Sequence, residues 1–272
     1  GTLYVTDADG ARRVEAGDFV HPQGDAGWDR PRFSPDAARI AAFAMTPAGL
    51  SLRVFDPGGG PPVDLGGDGV VKLSWSPDSG SLAFDRTDYE TGRSTIFIWD
   101  MASGATRELT EGHWPRWSPN GDVIAFKRES GDGIESQIYT VRADGSGEVA
   151  IGTRGRYAFQ ELTWSEDGAE LTYVRPAFSA AQLYRVDLAA GVAETLGVPI
   201  GDAGNPPRSV SLSPDASDAV YLVDAFEPGG TWQVMDLATG TTTSLVANGF
   251  PFADVYWTGD GPRVALGGTS AS

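Results

Sequence analysis

Trp117-Ser118-Pro119-Asn120-Gly121-Asp122-Val123-Ile124-Ala125-Phe126 reads as an aromatic residue, a serine, a two-residue turn and a short β run. Proline sets φ at the first turn position, and Asn or Asp followed by Gly tolerates the positive φ that closes a tight hairpin. The run that follows is rich in β-branched and aromatic residues, which favours a strand. Five further copies flank it: Phe33-Ser34-Pro35-Asp36, Trp75-Ser76-Pro77-Asp78, Trp164-Ser165-Glu166-Asp167, Leu212-Ser213-Pro214-Asp215 and Trp257-Thr258-Gly259-Asp260. Ala37 and Ala216 replace the turn glycine in the first and fifth of the six copies, so those turns are expected to be looser.

Successive copies lie 42, 42, 47, 48 and 45 residues apart. A period of about 40–50 residues is the length of one four-stranded propeller blade. A second motif interleaves with the first: an apolar strand, usually an Asp, then a Gly-bearing turn, as in Leu52 to Gly58, Ile96 to Gly104 and Ile138 to Gly145. Each repeat therefore holds four strands, A to D, with the Ser-Pro-Asp turn joining A to B. The ends are out of phase. Residues 1–16 supply a C–D pair and residues 253–268 an A–B pair, which together complete a sixth blade and remove the open edges of a linear array. The expectation is an all-β, six-bladed propeller over residues 1–272, with blades near 28–66, 70–110, 114–152, 160–197 and 208–247. The sixth blade takes 253–272 plus 1–16.

The Trp-Ser-Pro-Asp/Asn-Gly pattern with its Ile-Ala-Phe run resembles the propeller repeat of the TolB family and the related propellers of prolyl-oligopeptidase-type enzymes. It covers essentially the whole chain, in its propeller part only. The resemblance implies a non-catalytic module that binds a peptide, protein or glycan, in an extracytoplasmic (periplasmic or secreted) setting. The alternatives are a propeller belonging to a larger peptidase or to a membrane-anchored sensor, or a stand-alone lyase or hydrolase of acidic sugars.

Composition narrows the chemistry. The chain has 272 residues, a net charge of −17 and no cysteine. That charge repels phosphate backbones and argues against nucleic-acid binding. No apolar run reaches the roughly 18 residues of a membrane helix, so no membrane insertion is expected in this segment, and a monomer is expected. With two histidines, His21 and His113, neither Cys/His zinc sites nor a Ser/His/Asp triad has support, and no Gly-x-Ser-x-Gly elbow occurs. Asp7-Ala8-Asp9-Gly10 lacks the later ligands of a calcium loop and reads as a turn. No cofactor is expected; a cation in the channel has no residue set behind it. Lys72 and Lys127 are the only lysines against 18 arginines, a bias read as a GC-rich genome with no bearing on mechanism.

Comparison among the copies supplies the binding candidates. A–B and C–D turns fall at one end of every blade, B–C and D–A loops at the other, and the second set is irregular, as expected of displayed binding loops. Arg86, Arg128 and Arg175 each follow a B-strand aromatic by two residues, where the other copies have Met45, Val223 and Gly268. Guanidinium groups there suit a carboxylate or another anion; the structural alternative is local pairing with Asp88, Glu90, Glu129 or Asp132. The D–A segments carry Trp28, His113, Trp114, Tyr157, Phe159, Phe250 and Phe252, with Arg116 nearby. These rings would stack on a sugar or an apolar side chain at the channel mouth, or else pack between blades.

Overall fold

The computed structural model describes residues 2–6, 13–18, 31–47, 49–67, 69–131, 133–155, 160–176, 181–200, 210–213, 215, 217–223, 230–249, 253–258 and 261–266. Among them every regular element is a strand. Five sheets hold four strands each, in chain order. The first contains β3 (Arg32–Phe33), β4 (Ile40–Thr46), β5 (Gly49–Phe55) and β6 (Val63–Asp64), preceded in the chain by β1 (Thr2–Thr6) and β2 (Arg13–Asp18). The second contains β7 (Val70–Trp75), β8 (Ser81–Thr87), β9 (Ser94–Asp100) and β10 (Thr106–Glu111). The third contains β11 (His113–Trp117), β12 (Val123–Glu129), β13 (Ser136–Arg142) and β14 (Val149–Gly155). The fourth contains β15 (Gln160–Trp164), β16 (Glu170–Pro176), β17 (Ala181–Asp187) and β18 (Val192–Ile200). The fifth contains β19 (Val210–Leu212), β20 (Asp218–Val223), β21 (Gly230–Asp236) and β22 (Thr242–Gly249).

Pairing within these sheets is antiparallel, as short hairpin connections require. The two end hairpins differ from expectation. β1–β2 and the pair β23 (Ala253–Thr258) and β24 (Gly261–Leu266) stand as separate two-stranded sheets rather than one four-stranded blade. The chain divides into two compact units, residues 1–128 with 139–149 and residues 129–138 with 150–272.

In the five four-stranded sheets the B strands β4, β8, β12, β16 and β20 are buried on both faces, which explains their nearly unbroken apolar runs. Leu82 and Phe84 pack with Phe43, Leu52 and Trp75 on one side of the second sheet, while Ala83 packs with Ile124 and Phe126 on the other. In the second unit Val174, Leu183, Leu212 and Tyr221 form the corresponding layer between the fourth and fifth sheets. Burying one such side chain is worth roughly 1.5–3 kcal/mol, so these layers dominate the stability of each unit.

The A–B turns owe their recurrence to one hydrogen-bond cage. Ser76 Oγ donates to Asp78 (2.6 Å) and accepts from the Ser81 amide (2.8 Å), while Asp78 accepts from the Gly80 amide (2.9 Å). Ser34, Ser165 and Ser213 repeat the pattern with Asp36, Asp167 and Asp215. In the third copy Asn120 stands at the aspartate's place, and Ser118 donates to Asp122 instead (3.3 Å). The expected looseness at Ala37 is not found. Ala37 takes φ 57°, beside 63° for Ser79, 79° for Gly121 and 69° for Gly168. Its amide reaches the Ser34 carbonyl at 2.8 Å. The cage holds the left-handed residue in place whether or not it is glycine; Ala216 lies outside the described residues.

Candidate functional site

Counting from the turn serine fixes which positions correspond. Arg86, Arg128 and Arg175 fall ten residues after Ser76, Ser118 and Ser165, and the same count gives Ala44 rather than Met45 in the first sheet. Strand pairing agrees, since Ala44 faces Ser51 as Arg86 faces Thr95. The three arginines lie at the B–C loop ends of their strands, but each folds back over rings of its own sheet. Arg86 sits 5.8 Å from the Phe84 ring and 5.0 Å from Phe97. Arg128 sits 5.2 Å from Phe126 and 4.5 Å from Tyr139, and Arg175 sits 5.7 Å from Tyr184.

Those rings are stacked B–C pairs: Phe84 on Phe97, Phe126 on Tyr139 and Tyr173 on Tyr184. Sheets without the arginine lack the ring pair, having Ala42 opposite Arg53 and Tyr221 opposite Gln233. Each guanidinium also donates to a backbone carbonyl in, or just past, the last strand of the preceding sheet. Arg86 reaches the Leu65 carbonyl (2.9 Å), Arg128 the Glu111 carbonyl (2.9 Å), and Arg175 the Thr153 and Arg154 carbonyls. Stacking and sheet-to-sheet clipping thus account for much of the trio. Arg86 and Arg128 pair with none of Asp88, Glu90 or Glu129; Asp132 lies outside the described residues.

Arg128 is the most fully engaged. Its Nη1 and Nη2 donate to the Glu148 carboxylate at 2.6 and 2.9 Å, and Thr110 Oγ1 donates to the same group at 2.6 Å. The Arg128 bonds hold the Glu148 carboxyl below its ordinary range, and Glu148 in turn raises the Arg128 guanidinium. Arg86 has no such carboxylate among the described residues. It lines a cavity of about 620 Å³ with Thr87, Asp88, Tyr89, Arg93 and Phe97 among its walls.

The D–A segment before the third sheet holds the less ordinary geometry. Trp114 takes φ 57°, a left-handed conformation strained for a bulky residue. It lies in a bulge of β11 between His113, which pairs with Lys127, and Arg116, which pairs with Ala125. The Trp114 amide donates to Asp85 Oδ2 (3.0 Å), and the Lys72 amide, from the bulge of β7, donates to Asp85 Oδ1 (2.7 Å). One buried carboxylate therefore ties the bulges of two neighbouring sheets. Lys72 Nζ lies 5.4 Å from the centroid of the half-buried Trp114 ring, and Lys127 Nζ lies 5.2 Å from it.

These partners were missed in the sequence, although a signal was there. Nine residues after the turn serine come Phe43, Asp85, Lys127, Val174 and Leu222, all buried. Two neighbouring sheets put opposite charges where the others put an apolar side chain. Both lysines of the chain lie beside this one tryptophan. Arg116 Nη1 donates to the Leu73 and Pro115 carbonyls (both 3.4 Å) and so also bridges to the second sheet. Trp28, Tyr157, Phe159, Phe250 and Phe252 lie outside the described residues, as do His21 and Asp7-Ala8-Asp9-Gly10. Among the described residues no three His, Cys, Asp or Glu side chains gather as a metal site would require.

A family model for the TolB β-propeller domain matches residues 2–259. The Tol-Pal system protein TolB of Gluconobacter oxydans is 27% identical over 272 residues, covering 80% of this chain and 56% of that protein. Dipeptidyl-peptidase 5 of Porphyromonas gingivalis is 26% identical over 141 residues, covering 45% of this chain and 20% of that protein. The chain thus spans between a fifth and just over half the length of these relatives. Among solved structures, TolB from Acinetobacter baumannii superposes with a TM-score of 0.60 at 21% identity, over 90% of this chain and 59% of that one.

Proposed function

The chain belongs to the TolB β-propeller domain family, and on that premise we propose that it is a non-catalytic recognition module. It binds a peptide, a protein or a glycan at the strand ends that carry the B–C and D–A loops. The observation that supports this most is the Asp85–Lys72–Trp114–Lys127 group. A buried charge in place of a core residue is costly unless it is paired and hydrogen-bonded, and here buried Asp85 holds the Trp114 backbone amide while buried Lys127 lies beside the partly exposed Trp114 ring. The ring offers a stacking face, and the ammonium groups favour anionic substituents on whatever stacks there. Trp28, Tyr157, Phe159, Phe250 and Phe252 extend the aromatic surface in this reading. Titration with a panel of envelope-type peptides and oligosaccharides tests it, following the Trp114 indole N–H resonance assigned with Trp114→Phe. The expected result is a saturable shift for at least one ligand class; a resonance indifferent to the whole panel sinks the proposal.

The same reading includes a sixth blade assembled from β23–β24 and β1–β2, and a monomer in an extracytoplasmic compartment. Repeat alignment pairs Leu266 with Tyr4 as Phe84 pairs with Phe97. In a chain without cysteine, Tyr4→Cys with Leu266→Cys should form an intramolecular disulfide under mild oxidation; persistent free thiols speak against closure. A second reading, the propeller of a larger peptidase, draws support from the dipeptidyl-peptidase relative. A hydrolase domain in the same reading frame would establish it.

A further inference from the structure

We propose that the cavity beside the β8–β9 loop takes a short zwitterionic peptide, whose carboxylate docks on Arg86 as Glu148 docks on Arg128. This rests on the recognition reading above and names the ligand class for one part of the same strand ends.

The neighbouring sheet supplies the template. Arg86 and Arg128 hold equivalent positions, lie over equivalent ring pairs and donate to a backbone carbonyl in, or just past, the preceding sheet's last strand. There the likeness ends. On Arg128 the remaining donors are taken by Glu148 and by Thr110 Oγ1. Arg86 makes one side-chain hydrogen bond, to Leu65, and its Nε is buried without a partner among the described residues. Arg86 instead lines an open volume of about 620 Å³. That size lies within the roughly 300–1,000 Å³ of small-ligand pockets. A planar guanidinium already stacked on rings and short of acceptors is built for a carboxylate held by two parallel bonds.

The other walls select the rest of the ligand. Arg93, also lining the cavity, is bonded to Glu111 at 2.6 Å. Asp88 is turned into its own loop, accepting from the Glu90 and Thr91 amides. The carboxylates of Glu90 and Glu108 make no hydrogen bond or ion pair among the described residues. With Arg86, Arg93, Asp88, Glu90 and Glu108 on the walls, acids outnumber bases by three to two. A ligand carrying carboxylates alone would meet net repulsion. One with an ammonium group at the other end matches both sets, and Phe97 and the exposed Tyr89 offer apolar surface between them.

The probe is the tripeptide Gly-Phe-Gly with both ends free, followed through the backbone amide resonances of residues 86–95. It is compared with its C-terminal amide, its N-acetyl form and glucuronic acid, all on the unaltered protein. The free peptide should bind, amidation should weaken it at least tenfold, and N-acetylation about threefold. Arg86→Gln should reproduce the effect of amidation and Arg86→Lys should fall between. Equal binding of the amide or of glucuronic acid overturns the proposal, as does binding unaffected by Arg86→Gln in a folded variant. A peptide that moves Trp114 but none of residues 86–95 defeats this inference and leaves the broader recognition reading standing.

Discussion

The two ends of the sheets obey opposite rules. At the A–B turn end, five copies share the bond from the amide five residues on to the turn serine's hydroxyl, and four of them complete the cage with an aspartate, even though the left-handed residue is alanine, serine or glycine. At the B–C and D–A end, a single buried position holds Phe43, Asp85, Lys127, Val174 and Leu222. Recurrence at the first end reflects a backbone problem with one good answer: a serine hydroxyl and a carboxylate satisfy the amides that the turn leaves without partners. Divergence at the second end reflects freedom from that problem. A departure at an exposed site says little, whereas a charge in a buried site needs a compensating partner and therefore marks a built arrangement.

The largest expected effect comes from removing the carboxylate that separates the two ends in kind. Asp85→Ala leaves the Lys72 and Trp114 amides without their acceptor. At about 1–3 kcal/mol for each buried unsatisfied donor, the loss should be about 3 kcal/mol of unfolding free energy. Removing a cage hydroxyl, as in Ser76→Ala, should cost only about 1 kcal/mol, since the Asp78–Gly80 bond of that turn survives. Urea unfolding of the three proteins checks the ranking. Equal losses would erase the distinction between an end built on one recurring cage and an end that holds buried charges.

Much of the first end was legible in the sequence and little of the second. The turn motif, its spacing and the four-strand repeat follow from Ser-Pro-Asp-Gly chemistry and period-two strands, and the sheets confirm them from β3 to β22. Arg86, Trp114 and their neighbours also stand out among the copies, but their register and their partners do not. Anchoring on Phe43 and Phe84 shifted the first copy by one residue, because Phe43 corresponds to Asp85 once the serines are aligned. Anchoring on the cage would have exposed Asp85 and Lys127 as the odd members of a buried column. The arginine partners were hidden for a different reason: they are carbonyls of a preceding strand some twenty residues away, which carry no side-chain signature. The aromatic pairs beneath the arginines, Phe97, Tyr139 and Tyr184 against Arg53 and Gln233, were a usable signal that composition alone does not show.

A smaller effect, of opposite sign, probes the cage itself. Ala37 holds φ 57° where two other copies have glycine. A left-handed alanine costs about 1–2 kcal/mol, part of which glycine loses again through its freer unfolded chain. Ala37→Gly should therefore stabilise the protein by about 0.5–1 kcal/mol. Ser79→Gly should not, because Ser79 Oγ accepts the Asp36 amide at 3.0 Å and ties the first turn to the second. A gain in both variants, or in neither, would show that the cage does not govern these turns as described.

The smallest effect is a pH dependence that belongs to the turn end. The Ser76 hydroxyl and then the Gly80 amide hold the Asp78 carboxyl below its ordinary value of 3.8. Folding therefore favours the ionised form. The contribution is fully present above the unfolded value near 3.8 and disappears as pH falls through the lower folded value. Asp36, Asp167 and Asp215 are lowered in the same direction by their own serines and turn amides, so the whole end should weaken together in acid. Asp78→Asn isolates one member. Its urea midpoint should lie below that of the unaltered protein at pH 6, and the gap should close as pH is lowered below the carboxylate range. The Asp78 carboxylate is solvent-exposed, so water screens much of the effect and the gap should stay small. A gap that widened on acidification would mean that the neutral carboxylic acid, not the carboxylate, is what the cage binds.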